Sequence, residues 1–260
     1  MSNKLTVQIE SGVGRITLNR PELRNAFDSG FIAELNQAVT QLATDSQVRV
    51  LVLGAHGEAF CAGADLNWMR SVADYTHEQN VQDASGLAQM LNTLYTCPKP
   101  TIARVQGDTY AGGMGLVSAC DVVVSVDTAH FCLSEVKLGL IPATISPYVI
   151  RAMGPRAAHR YALTAERFNA HEARRIGLVH EVVSAQALDE QVALWVKAFL
   201  SASPQALASC KRLLHDVAHE PIDAGLMQMT ARAIAQSRAS EDGKDGVQAF
   251  LNKRKPHWLT

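Results

Sequence analysis

Polar and apolar positions alternate from the start of the chain. Leu5–Glu10 (LTVQIE) and Val13–Leu18 (VGRITL) flank Ser11-Gly12, and a period-two pattern broken by such a turn predicts an antiparallel hairpin. Pro21 stops the second strand, and Asp28 or Ser29 can cap a helix running to about Ala43. Residues 48–53 (VRVLVL) form a strongly apolar strand. It runs into GAHGEAFCAGADLNWM, where Gly57, Ala59, Ala62, Gly63 and Ala64 make a tight turn and Asp65 can cap the next helix. Residues 71–95 read as one helical segment with an acidic tilt, ended by Pro98 and Pro100. A strand at residues 101–106 leads into a glycine-rich turn, AGGMG at Ala111 to Gly115. A small-residue run, Asp121 and the β-branched strand Val122–Val126 follow. Asn169 with Glu172 predicts a capping box, Gly177 a helix stop, and residues 178–183 a last strand. From Ser184 the pattern is helical, with a cap at Ser203-Pro204 and a break near Gly243 to Gly246. Alternating strands and helices followed by helices alone predict an α/β core with a helical appendage.

Composition narrows the classes. The 260 residues carry a net charge of −1, scattered along the chain, which argues against a nucleic-acid or polyanion binder. No apolar run reaches the length of a membrane span, and the first residues lack a signal-peptide pattern. Cysteines 61, 97, 120, 132 and 210 are odd in number and form no CxxC pair, as expected of reduced thiols in a cytoplasmic enzyme. His215 and His219 are four apart on an expected helix, but without a third ligand they read as a solvated face, and no metal is expected.

Two stretches carry candidate chemistry. Gly112, Gly113 and Gly115 lack a Cβ, so a ligand can approach the backbone, and a turn entering a helix aims free N–H groups outward. The turn at Ala62 to Ala64 offers a second such set. Glu135 reads as an acid on an apolar strand among Phe131, Leu133, Val136, Leu138 and Leu140. Such an acid is either paired or has a raised pKa suited to proton transfer near neutral pH. By spacing alone, Arg20 and Arg24 are solvated loop charges. Neither GxSxG nor GxGxxG occurs, which disfavours a serine hydrolase or a dinucleotide enzyme.

FCAGADLNWM, GGMGL followed by CDVVV, and SEVKLGLIP together resemble the crotonase family, the enoyl-CoA hydratases/isomerases. NRPELRNAF, AERFNAHEARRIGLVHEVV and the helical tail extend the likeness over nearly the whole chain. The resemblance implies an α/β spiral of ββα units over residues 1–190 and a helical trimerisation region over 191–260, as a homotrimer or a dimer of trimers. It implies an acyl-CoA thioester substrate, with coenzyme A entering as carrier and no other cofactor. Ala64 and Gly112 would supply the N–H groups for a thioester oxyanion, and Glu135 the acid/base. Arg24, Ala26, Ala62, Asp65 and Leu66 would border coenzyme A. Hydratases of the family usually carry a first glutamate where this chain has Gly115. A lost base and gained room are therefore expected there, with a carboxylate on the substrate able to help the water. Lys137 and Arg70 could meet such a carboxylate, though each also reads as a solvated charge. Within the family, the AGADLNW loop, GGMGL and CLSEVKLGLIPATISPYV together are most similar to methylglutaconyl-CoA hydratases of bacterial leucine degradation, and equally to isohexenylglutaconyl-CoA hydratases of acyclic terpene breakdown. Single-glutamate enoyl-CoA isomerases are the alternative. Leu188, Val192, Trp195 and Val196 form an apolar face expected to dock on a neighbouring subunit.

Overall fold

The computed structural model describes residues 4–259. β1 (Leu5–Glu10) and β2 (Val13–Leu18) form the expected antiparallel hairpin. In α1 (Ser29–Thr44) the cap is Asp28, whose side chain accepts from the Phe31 N–H. The buried Phe31, Ile32, Leu35, Ala38, Val39 and Leu42 recur at the spacing of one helix face.

Three strand–strand–helix units follow. The first is β3 (Val50–Ala55) and β4 (Ala59–Cys61) with α2 (Leu66–Ser71) and α3 (His77–Tyr95). The second is β5 (Thr101–Val105), β6 (Asp108–Tyr110) and α4 (Gly112–Ala119). The third is β7 (Val122–Val126), β8 (His130–Cys132), a 3-10 turn (Glu135–Leu138) and α5 (Ser146–Thr164). Then come β9 (Phe168–Asn169), α6 (Ala170–Arg175), β10 (Glu181–Val183), α7 (Leu188–Ser201), α8 (Pro204–Val217), α9 (Ala224–Ala239) and α10 (Glu241–Leu251). The first strand of each unit joins a six-stranded sheet, order β1-β2-β3-β5-β7-β10, parallel from β2 onward. The second strands form a four-stranded sheet, order β4-β6-β8-β9, with β4, β6 and β8 parallel. The chain thus winds as a spiral of ββα units with helices at its C-terminal end, as the sequence led us to expect. Every residue of β3 and β7 is buried, as parallel strands covered on both faces should be. One core joins them to α1, α3, α4 and α7.

Several sequence expectations need correction. Residues 71–95 are not one helix: α2 ends at Ser71, and Thr76 starts α3 with a capping box to Gln79. The glycine-rich stretch is not a turn, because Gly112, Gly113 and Gly115 lie inside α4 and only Ala111 makes the bend. Glu135 starts a 3-10 turn rather than lying on a strand. Asn169 caps α6, but the Glu172 carboxylate turns to Tyr161 and Arg175, so the capping box is half made. The last strand spans only Glu181–Val183. The helical tail breaks at Ser240, whose hydroxyl caps α10, and Gly243 and Gly246 lie within that helix. The expected division at 190/191 falls inside α7, whose Leu188, Val192 and Val196 are buried in this chain's own core. His219 lies beyond the end of α8 with φ 72°, while the His215 ring stacks on Tyr95 at 4.2 Å, so the two share no helix face.

Candidate active site

β4, β6 and β8 lie side by side and parallel, so the segments leaving their C-terminal ends gather at one edge of their sheet. Ligands collect at such edges of α/β sheets. Ala64 follows Cys61, the end of β4; Gly112 follows Tyr110, the end of β6; Glu135 follows Cys132, the end of β8.

The loop before α1 holds the first of these segments. The Phe27 N–H donates to Gly63 O at 2.9 Å, the Asp65 N–H to Phe27 O at 3.0 Å, and the Ala62 N–H to Arg24 O at 3.0 Å. The Gly63 N–H reaches Cys61 Sγ at 3.4 Å. The N–H groups of Ala62, Gly63 and Asp65 are thereby used, while that of Ala64 has no acceptor among the described residues. Gly112 is the first residue of α4, where a helix leaves its N–H groups unpaired and its dipole favours negative charge. The bend that aims it outward is Ala111, at φ 47° and ψ −120°, tied by its N–H to Cys132 O at 2.9 Å. A non-glycine residue there costs about 1–3 kcal/mol and persists only where its surroundings enforce it. The two segments touch: a Cβ placed on Gly63 would stand 2.9 Å from Ala111 Cβ and 3.6 Å from Gly112 N. Two free backbone donors are thus brought side by side, both on half-exposed residues.

Glu135 is half-buried, and its Oε2 is buried with no hydrogen-bond partner. Burial pushes its carboxyl above the ordinary carboxylate range, and its own backbone N–H pulls the other way. Of the apolar residues near it in sequence, Phe131 and Leu133 are buried, whereas Leu138 and Leu140 are 63% and 52% exposed. The carboxylates of Asp65 and Asp108 are already engaged. Asp65 accepts from the Asn67 and Trp68 N–H groups and from Arg20 Nη2 at 3.0 Å. Asp108 accepts from the His130 N–H, from Tyr110 Oη at 2.7 Å and from Arg167. Burial, then the bond to Asp108, pushes the Tyr110 hydroxyl up to about 12. Glu135 is the one carboxylate among the described residues with a buried, unpartnered oxygen.

Other expected residues fall in distinct places. Arg24 and Ala62 line a cavity of about 240 Å³ together with Glu58, Ala59, Asp108 and Tyr110. Ala26 is buried and does not line it, its carbonyl accepting from Arg20 Nη1 at 2.8 Å. Leu66 is 70% exposed at the start of α2. Lys137 and Arg70 are exposed, and Arg70 donates to Asn67 at 3.2 Å. Arg20 is not a solvated loop charge: it is largely buried and spans Ala26 O, Asp28 and Asp65. Gly115 does not open room either, because a Cβ there would stand 2.4 Å from Ile145 Cγ2 and 3.3 Å from Leu91 Cδ2.

Sequence reasoning missed Asn25, Phe27, Ala111 and Ile145. Asn25 is fully buried at φ 54° and donates to His56 O and Ala59 O, both at 2.8 Å. An asparagine in a loop beside proline was the available signal, since asparagine tolerates the left-handed region better than most residues.

Comparison with known proteins adds to this geometry. Residues 8–260 match the family model described as enoyl-CoA hydratase/isomerase. A Thermus thermophilus chain carrying an enoyl-CoA hydratase name is 37% identical over 254 residues, covering 97% of this chain and all of the relative. The enoyl-CoA hydratase AKT6-1 of Alternaria alternata is 33% identical over 260 residues, covering 97% of this chain and 83% of its own. The crystal structure of an enoyl-CoA hydratase from Shewanella pealeana superposes with a TM-score of 0.96 at 44% identity, covering 98% and 96% of the two chains.

Proposed function

Because this chain belongs to the enoyl-CoA hydratase/isomerase family, we propose that it adds water to a 3-branched enoyl thioester of coenzyme A, foremost 3-methylglutaconyl-CoA. The observation that carries this reading is the pair of unpartnered N–H groups, Ala64 and Gly112, on segments that leave the same sheet edge as the half-buried Glu135. Attack at the β carbon moves negative charge onto the thioester oxygen. Two fixed N–H donors stabilise that charge, a single good one by roughly 2.7–4 kcal/mol. Glu135 takes a proton from water as the oxygen bonds to the β carbon, then returns that proton to the α carbon. The carboxylate ends as it began, and one water has been added. Arg24 and Ala62 would border the coenzyme A carrier, and no further cofactor enters. The branched glutaconyl chain is supported by the resemblance of residues 132–149 to hydratases of that substrate group. The isohexenyl homologue fits the same resemblance.

A second reading has its own support. Ile145 occupies the space beside Gly115, so that position offers no carboxylate to act with Glu135. One base can move one proton between the α and γ carbons, which is double-bond migration without water. A homotrimer or a dimer of trimers is supported by exposed apolar side chains on the C-terminal region, including Ile222 at 86% and Phe250 at 83%. The cytoplasm is supported by five free cysteines, four of them buried.

The test is a panel of 3-methylglutaconyl-CoA, isohexenylglutaconyl-CoA and crotonyl-CoA in ¹⁸O-labelled water, with products identified by mass. Hydration incorporates one labelled oxygen, fastest with a branched glutaconyl thioester. A shifted double bond without label assigns the isomerase. No turnover on any thioester rejects both.

A further inference from the structure

We propose that Ile145 is a positioning residue that seats the Gly112 donor and keeps it in register with Glu135; this rests on the oxyanion reading above. The first turn of α4 carries three glycines, and a different neighbour fills the place of each missing Cβ. A Cβ on Gly112 would lie 2.2 Å from Phe27 Cζ, and one on Gly113 would lie 2.8 Å from Cys61 O. One on Gly115 would lie 2.4 Å from Ile145 Cγ2 and 3.0 Å from Ile145 Cβ. The turn is therefore sunk into a three-sided socket. Two sides, Phe27 and Cys61, belong to the segments that fix Ala64. The third side belongs to the segment that begins at Glu135.

Ile145 suits this task. It is 2% exposed, and its carbonyl accepts from the N–H groups of Tyr148 and Val149, both at 3.1 Å, which fixes it to the start of α5. A β-branched side chain is stiff at χ1, so Cγ2 is a defined stop rather than a mobile one. The link back to Glu135 is short. The Leu140 N–H donates to Glu135 O at 3.1 Å, and the Ser146 N–H to Pro142 O at 3.0 Å. Displacing Ile145 thus shifts the Gly112 N–H against the Glu135 carboxylate, although neither residue has changed. The same contact closes position 115 to any side chain.

The test is a double-variant cycle, Gly115→Ala with Ile145→Ala. The readouts are kcat, KM and the thioester carbonyl stretching frequency of a bound, isotopically labelled enoyl-CoA. Gly115→Ala is expected to lower kcat by about 10- to 10³-fold, with KM within about threefold, and to lose part of the carbonyl shift. Adding Ile145→Ala, which removes Cγ2, is expected to bring kcat and the shift back to within about threefold of Ile145→Ala alone. A Gly115→Ala enzyme with wild-type kcat and shift overturns the proposal, as does a double variant no better than Gly115→Ala. Should Gly115→Ala fail to fold, Ile145→Leu and Ile145→Val decide. Leu moves the branch off Cβ and is expected to weaken the carbonyl shift, while Val keeps Cγ2 and preserves it. Equal shifts in these two variants overturn the role of Ile145. An unshifted carbonyl in the wild-type complex overturns the oxyanion reading itself, and the positioning role with it.

Discussion

The half-buried surroundings of Glu135 disfavour its charged form. Its folded pKa lies above the unfolded value of 4.5, so the folded state holds its proton longer than the unfolded chain does. Stability therefore falls as pH rises from about 4.5 through the raised pKa, and stays lower above it. Glu135→Gln keeps the shape and removes the charge. It is expected to melt higher than wild type at pH 7, with the gap closing below pH 4.5, in scanning calorimetry. The same variant should lose about 10²- to 10⁴-fold in turnover while binding an acyl-CoA normally. Near-normal turnover would remove Glu135 from the chemistry. Arg20 and Arg24 make a second contrast. Arg20→Met strands Asp65 and is expected to cost about 3 kcal/mol in denaturant unfolding, at the low end for a buried pair. Arg24 is exposed, so Arg24→Met should leave stability unchanged and weaken coenzyme A binding in titration calorimetry. Destabilisation by Arg24→Met comparable to that of Arg20→Met would reject this division. Spacing alone does not separate the two arginines. Their roles depend on Asp65, which is distant in the chain and arrives only through the pairing of Phe27 with Ala64.

At the scale of elements, long periodic segments were legible and short ones were not. The β1–β2 hairpin and β7 lie where the apolar pattern put them, because each has enough residues to show its period. β4, β6 and β8 were invisible, since three residues cannot display an alternation. Yet these strands bring the two donors and Glu135 to one edge. Motif resemblance supplied the residues of the site, and only the sheet order supplied their meeting. The sequence offers Asp28 and Ser29 alike as the cap of α1, and the structure selects Asp28, which also pairs with Lys4 and Arg20. Asp28→Ala should cost about 1–2 kcal/mol in urea unfolding, against less than about 0.5 for Ser29→Ala. Equal effects would show that α1 does not depend on this cap. The bend at Ala111 had no sequence signal, because alanine does not ordinarily mark a positive φ.

For the whole molecule, the apolar face of α7 was legible as a pattern but not in its destination. Leu188, Val192 and Val196 complete the chain's own core, so an interface with a second copy of the chain would need other surface. Ile222 and Phe250 are exposed, as are Leu138 and Ile141 beside the Glu135 turn. Multi-angle light scattering at micromolar concentration should give the mass of a trimer or a multiple of it. A monodisperse monomer would contradict assembly through these surfaces. In the proposed site one thioester oxygen would be held by two backbone donors while Glu135 serves the α carbon. Crystals grown with a non-reactive acyl-CoA analogue test this most directly. The thioester oxygen should sit about 2.7–3.1 Å from both Ala64 N and Gly112 N, with the Glu135 carboxylate against the α carbon. A thioester bound elsewhere, or an oxygen that meets neither nitrogen, would contradict it.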